Sequence, residues 1–554
     1  MWRDLGRILG LWRAYRARLV LGAALAVLAA LAGVALLALA GQGLADGLRH
    51  GAVAMAAVSL LLLRPLILLR PVLRWLERMA THDATFRALA DTRVWFFRRL
   101  AERLPAGIGL HRAGDLLGRL VADVEALDGL YLRALVPIAA AGATVLAIAA
   151  LLGAASPALM AIVALPLALA LLLPALLAPR AARAAVSVAE AHGALRARAV
   201  EPLQGMEDLL ASNGEALAGR RLAEAGWSQA RAERRLAAAG AAGGAAGGLL
   251  AQFALLGALA FGIGAWGQGA TEAAVLAVPA LFLALAASET LAAVPRAGAA
   301  LAAAGASARR LLDAADAPVP VPAPATPAPA PRGHALRLEG VRFAWGPDRP
   351  AVLDGLSMEV PEGARVALLG PSGSGKSTVA ALLLRLAAPQ EGRVTLGGVD
   401  IAALPEEVVR SRVACLTQDA RLFDASIAEN LRLAAPDAPD TALWEALERA
   451  RVADLVRALP DGLDTACGEG GVRFSGGQGR RLALARALLS PAPVLILDEP
   501  ASGLDAAAER AFLETLDQAL AGRTVLLIQH RLLGVERPTR VLRMAGGRAF
   551  PAAG

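Results

Sequence analysis

Six apolar runs, near residues 19–41, 52–75, 134–154, 157–178, 243–266 and 273–294, decide what this chain can fold into. Each is close to the roughly 20 residues that a helix needs to cross a bilayer. In lipid every backbone amide has to bond within its own segment, so the runs are expected as helices. They stop before residue 300. Residues 335–554 alternate short apolar runs with helical patterns and read as a soluble α/β domain. Between the two lies "APVPVPAPATPAPAPRG", whose alternating prolines favour an extended, semi-rigid spacer. The expected organisation is therefore a membrane domain with cytoplasmic helical extensions (1–316), a proline-rich linker (317–333) and a nucleotide-binding domain (334–554).

Charge sets the orientation. The chain carries a net +8, which suits either a nucleic acid or a membrane surface. Nine arginines lie in 76–133 and nine in 179–242, whereas the short loops 42–51, 155–156 and 267–272 hold only Arg49. By the positive-inside rule the N-terminus and both long loops are cytoplasmic. An even number of spans then returns the C-terminal domain to the cytoplasm. Topology thus accounts for the arginines, and a nucleic-acid partner loses its support. A signal-peptide reading of "LLALAGQ" is disfavoured because the run before it exceeds a usual signal core. The only cysteines, Cys415 and Cys467, lack metal-ligand spacing and are expected in the core of a protein from a reducing compartment. The loop helix 113–132 spaces Leu116, Leu120, Val124 and Leu127 along one apolar face. Gly240, Gly244 and Gly248 form a small-residue face suited to close helix packing.

The soluble half carries the chemistry. "GPSGSGKST", Gly370 to Thr378, follows the strand-like "ARVALLG" and opens a helix, the context a phosphate-binding loop requires. Gly370, Gly373 and Gly375 let backbone N–H groups wrap phosphates, with Ser372 and Thr378 alongside and the helix dipole behind. Lys376, the only lysine against 55 arginines, is expected on the β- and γ-phosphates, and Ser377 on Mg²⁺. "PVLILDEP" reads as a buried strand ending in Asp498, placed for the Mg²⁺ shell, and Glu499, placed to polarise the attacking water. "FSGGQ" supplies Ser475, Gly476, Gly477 and Gln478 at a helix start, a second phosphate cradle. One chain with its own P-loop has no evident need of a second cradle, which suggests two domains sharing ATP head to tail.

These segments resemble the ATPase domain of ABC transporters. The resemblance implies a Q-loop glutamine, Gln418, that also reaches Mg²⁺. It further implies a D-loop aspartate, Asp505, a switch histidine, His530, and an adenine-stacking aromatic, here Trp345 where tyrosine is usual. Phe474 replaces the usual signature leucine. Both catalytic candidates, Glu499 and His530, are intact. Six spans before one such domain resemble an exporter half-transporter. "THDATFRAL", "GDLLGRLVADVEALDGLYLR" and "GEGGVRFSGGQGRRLALARALL" are similar to the CydC subunits of CydDC exporters. That family implies a CydD-like partner in a heterodimer of the bacterial inner membrane and a link to cytochrome bd assembly. Its substrates are small thiols (cysteine or glutathione) or haem-related molecules. The rival reading is a homodimeric lipid or multidrug exporter. His82 matches the family's candidate haem-ligand position, against the plainer reading of a surface histidine beside Asp83. Arg64 is weighed as part of an anion-attracting substrate cavity, while Arg70 and Arg74 are expected to be solvated in a cytoplasmic extension.

Overall fold

The computed structural model describes the chain except residues 51–52, 104–112, 347–348, 502–508, 511, 515, 517–519, 521 and 553–554. Side chains at 50–60, 104–115, 174–175, 177–179 and 181–182 also lie outside the described set. The chain divides into two compact units that meet in sequence at Ala317 and Pro318.

The first unit is helical. Its long helices are Arg16–His50, Val53–Ala101, Val136–Ala155, Pro157–Gln204, Glu215–Gly267 and Thr271–Leu291. Among the described residues, four helical stretches are long and apolar enough to cross a membrane: Trp2–Arg49, Leu116–Ala155, Glu215–Gly267 and Thr271–Ala315. Pro157–Leu173 is a shorter apolar helix. The predicted run 52–75 falls partly outside the described residues. Three helices far outlast their apolar runs, with 49, 48 and 53 residues. At about 1.5 Å per residue they reach more than twice the ~30 Å hydrocarbon thickness.

Polar groups and small residues tie these helices together. Arg70 and Arg74 both grip Glu289 on the helix Thr271–Leu291, at 2.6 and 2.5 Å. They are ion-paired rather than simply solvated, because the partner carboxylate lies far away in sequence. Arg70 lies against Gly33, where any added Cβ would stand 3.1 Å from its guanidinium. Arg64, on the same helix, is exposed. At Gly41 a Cβ would stand 2.7 Å from Pro279 Cα, so backbones touch there. Gly240, Gly244 and Gly248 have open space at the Cβ position. The expected packing face is rotated away, and the buried glycine of that stretch is Gly243.

The loop helix 113–132 is not one regular α-helix. Wide π-helical turns at Arg119–Asp123 and Gly129–Leu135 interrupt it. Val124 and Leu127 are buried as the periodicity predicts. The π turns accompany a burial that α-periodicity does not foresee, because Asp123 faces inward too. It receives two hydrogen bonds from Arg310, at 2.9 and 2.5 Å, and one from Ser307.

The second unit holds two sheets. β1 (Leu336–Phe343), β2 (Leu353–Val360), β4 (Glu391–Leu396) and β5 (Val399–Asp400) form an antiparallel sheet in the order β2-β1-β4-β5. β3 (Arg365–Leu369), β6 (Val413–Leu416), β7 (Val494–Asp498), β8 (Thr524–Gln529), β9 (Arg540–Ala545) and β10 (Arg548–Pro551) form the other, ordered β10-β9-β3-β8-β7-β6. From β9 to β6 it is parallel, and β7 is buried at every position. That explains why "VLILD" reads as a continuous apolar run. The proline-rich tract does not stand free as a spacer. Ala328 N–H donates to the Ala403 carbonyl at 2.9 Å, and buried Arg385 donates to the Pro322 carbonyl at 2.8 Å. Proline lacks an N–H but keeps its carbonyl, so such a tract offers acceptors to any donor beside it.

Candidate nucleotide site

Four neighbouring parallel strands end at one edge of the six-stranded sheet, and their C-terminal loops build a cleft of about 230 Å³. After β3 the chain wraps through Gly373 and Gly375 at φ of 77° and 99° and enters the helix Lys376–Leu383. At Gly375 a Cβ would also stand 2.9 Å from Leu353, so that position is closed to side chains twice over. Lys376 is buried, its Nζ donating to the Gly370 and Pro371 carbonyls at 2.8 and 2.9 Å. Burial pushes its pKa down.

Ser377 donates to Asp498 Oδ2 at 2.7 Å across 121 residues of sequence. The other oxygen, Asp498 Oδ1, is buried without a hydrogen-bond partner. A hydroxyl and a half-satisfied carboxylate fit a hard divalent cation such as Mg²⁺, which takes oxygen ligands. Burial raises the Asp498 carboxyl pKa, and the hydrogen bond from Ser377 opposes that rise.

Glu499 adopts φ of 51°, a conformation that non-glycine residues rarely take. Its N–H donates to the Ile528 carbonyl, and this turns its carboxylate into the cleft. His530 stands 2.6 Å from Glu499 through Nε2 and 3.1 Å from the Gly370 carbonyl through Nδ1. Two acceptors thus flank one imidazole. Nδ1 reaches the carbonyl and Nε2 the carboxylate, so the ring is held between them. Gln418 and Ser372 also line the cleft. Trp345 is half-buried beside it, edge-on to Phe343 and donating to Thr378 at 3.2 Å.

Ser475 and Gln478 form a reciprocal capping box at the start of the helix Gly476–Leu489, where Gly476 and Gly477 supply the first N–H groups. This segment does not line the cleft described above. Asp505 lies outside the described residues. Two residues of the site went unforeseen. Val352 lines the cleft, and Arg480 donates to the Gln418 and Asp498 carbonyls at 2.5 and 2.6 Å. No local spacing marks either. Both cysteines are free thiols, and burial pushes Cys415 up to about 12.

The profile of the ABC transporter family matches residues 353–502, which hold the phosphate loop, the signature and Asp498. That of the ABC transporter transmembrane region matches 19–287. The chain belongs to the ABC transporter family. It is 34% identical to the glutathione/L-cysteine transport system ATP-binding/permease protein CydC of Escherichia coli (strain K12), over 98% of this chain and 95% of that protein. An ATP-dependent lipid A-core flippase of Chromohalobacter salexigens is 43% identical, over 38% of this chain and 37% of that protein. A bacterial Atm1-family ABC exporter with ATP bound superposes with a TM-score of 0.88 at 25% identity, covering 98% of this chain and 95% of that one. The protein is therefore an ABC exporter half-transporter. It is a multi-pass membrane protein whose second unit is an ATP hydrolase.

In the first unit, His82 is half-buried and edge-on to Phe86 at 5.5 Å. Its neighbour Asp83 pairs with Arg18 and Arg87. Phe86, Arg93, Glu125 and Arg133 line an open groove of about 620 Å³.

Proposed function

We propose that this subunit couples ATP hydrolysis to export of a small thiol, cysteine or glutathione, or of a haem-related molecule. In this reading it works as one half of a heterodimer with a CydD-like subunit in the bacterial inner membrane, in support of cytochrome bd assembly. The observation that carries the reading is the extent of the similarity to CydC, which runs through the membrane half as well as the ATPase half. The similarity to the lipid flippase spans little more than a third of the chain. Thiol peptides and haem carry carboxylates. Arg70 and Arg74 both pair with Glu289 and share their helix with exposed Arg64, a basic stretch suited to an anion. His82, beside the groove residue Phe86, is the candidate haem ligand.

At the nucleotide site Lys376 and the loop from Gly370 to Thr378 hold the phosphates. Ser377, Asp498 and Gln418 would hold Mg²⁺, which when bound offsets phosphate charge. Glu499 orients and polarises the attacking water, and His530 fixes the Glu499 carboxylate. Trp345 stacks on the base. Ser475 to Gln478 and Asp505 complete the site of the second subunit, and ATP binding closes the two ATPase domains in an alternating-access cycle. The test is uptake into inverted membrane vesicles carrying this subunit with its CydD-like partner. Glutathione or cysteine should accumulate only with ATP and only with both subunits present. Uptake by this subunit alone, or stimulation by lipid A rather than thiols or haem, would favour a homodimeric lipid exporter.

A further inference from the structure

We infer that Arg480 is a positioning residue that couples this chain's own ATP site to the signature segment it offers the second subunit. Arg480 lies in the first turns of the helix Gly476–Leu489, two residues beyond the Ser475–Gln478 capping box. Its guanidinium forks onto two backbone carbonyls, Gln418 at 2.5 Å and Asp498 at 2.6 Å. The Asp498 carbonyl is that of the last residue of β7 and the Gln418 carbonyl lies two residues beyond β6, both past the final pair between these parallel strands, Leu416 with Leu497. A planar fork holds two donors at a fixed spacing and angle toward two such acceptors, whereas a point-like ammonium on a flexible stem does not impose that spacing. The cation also sits beside Asp498, Glu499 and Asp419, and burial lowers its pKa. One side chain thus fixes three things to each other: the Q-loop, the end of the strand bearing Asp498, and the start of the signature helix. A shift of Gln418 or Asp498 on binding or hydrolysis reaches Ser475 through five residues of chain.

The inference rests on the proposed reading that Ser475 to Gln478 completes a second chain's ATP site. The test uses the assembled two-subunit complex. Arg480→Met keeps the stem and removes both donors. It should lower kcat about tenfold with nucleotide affinity within about twofold, and Arg480→Lys should fall between Met and wild type. The deciding measurement adds Arg480→Met to Glu499→Gln, where the residual turnover belongs to the second subunit's site. That residual should drop a further fivefold or more, on the order of 1 kcal/mol at the barrier. If Glu499→Gln leaves no turnover, the ATP trapped per complex is measured instead and should fall with Arg480→Met. Unchanged residual turnover or unchanged trapping overturns the coupling. So does a fall in kcat matched by an equal fall in nucleotide affinity, or a wild-type Arg480→Lys enzyme. Arg480→Lys carries the test if the Met variant does not assemble. A wrong shared-site reading has its own signature, because Gly477→Asp would then leave turnover intact in every background.

Discussion

At the scale of single residues, the phosphate loop explains why a chain with 55 arginines keeps one lysine. Lys376 is buried with its ammonium between two carbonyls, and a planar guanidinium has neither the depth nor the donor geometry to replace it. Lys376→Arg is expected to lower ATP turnover about a hundredfold despite keeping its charge, measured as phosphate release by the purified complex. Asp498 carries a second prediction. Its folded pKa is raised by burial above the unfolded value, near 3.9. Stability from this group is therefore full below the unfolded value and is lost as pH rises through the folded one. Asp498→Asn should raise the thermal midpoint of the nucleotide-free protein at neutral pH, flatten its dependence on acid, and abolish turnover. A variant that melts lower than wild type at neutral pH would refute the burial argument. The positions of Lys376 and Ser377 at a helix start and of Asp498 and Glu499 at a strand end could be read from their order along the chain, because a strand, a tight loop and a helix are local patterns. The contact of Ser377 with Asp498, and of Glu499 with His530, could not. Parallel strand order brings those loops together, and no local pattern records it.

At the scale of elements, two features decide how the helices hold together. The first is the Asp123–Arg310 pair. Arg310→Met would leave a buried carboxylate uncompensated and should cost roughly 2–4 kcal/mol in denaturant unfolding of the membrane unit's helices. Changing Asp123 to Leu as well should recover most of that loss, and the double-mutant cycle measures the coupling. The second is close backbone approach. Gly41→Ala drives a Cβ to 2.7 Å from the backbone of Pro279 and is expected to cost about 1–3 kcal/mol. Gly248→Ala meets open space and should be neutral or slightly stabilising, as glycine in a helix interior is unfavourable. Comparing yields and melting midpoints of the two variants checks this. Glycine spacing pointed to 240–248 because periodicity reports a face but not what lies opposite it. The π turns at Arg119 and Gly129 were hidden for the same reason, since hydrophobic spacing alone fits a regular α-helix.

At the scale of the whole molecule, the signature at Ser475–Gln478 does not line the chain's own cleft, so this site is expected to be complete only when a second subunit is present. With Glu499→Gln, the complex with the proposed CydD-like subunit should bind ATP, trap it and turn it over at least tenfold more slowly than wild type. The subunit purified alone should show little turnover. Full activity from this subunit alone, at a mass of one chain by light scattering, would sink the two-chain arrangement.

The amino-acid sequence by itself determined a first half built of long apolar helices, the side of the membrane expected for its loops, the phosphate loop and the acidic strand end. Each rests on a pattern within some twenty residues: apolar length, arginine asymmetry, or a glycine turn between strand and helix. Only the tertiary structure decided the contacts between distant segments. These include Glu289 held by Arg70 and Arg74, Asp123 turned inward to Arg310, and the proline tract laid against the ATPase unit. They also include the Arg480 fork across Gln418 and Asp498. The physical reason is common to all of them. A buried charge or carbonyl must find a partner, and which partner it finds depends on the neighbour that folding brings, not on the residues beside it in the chain.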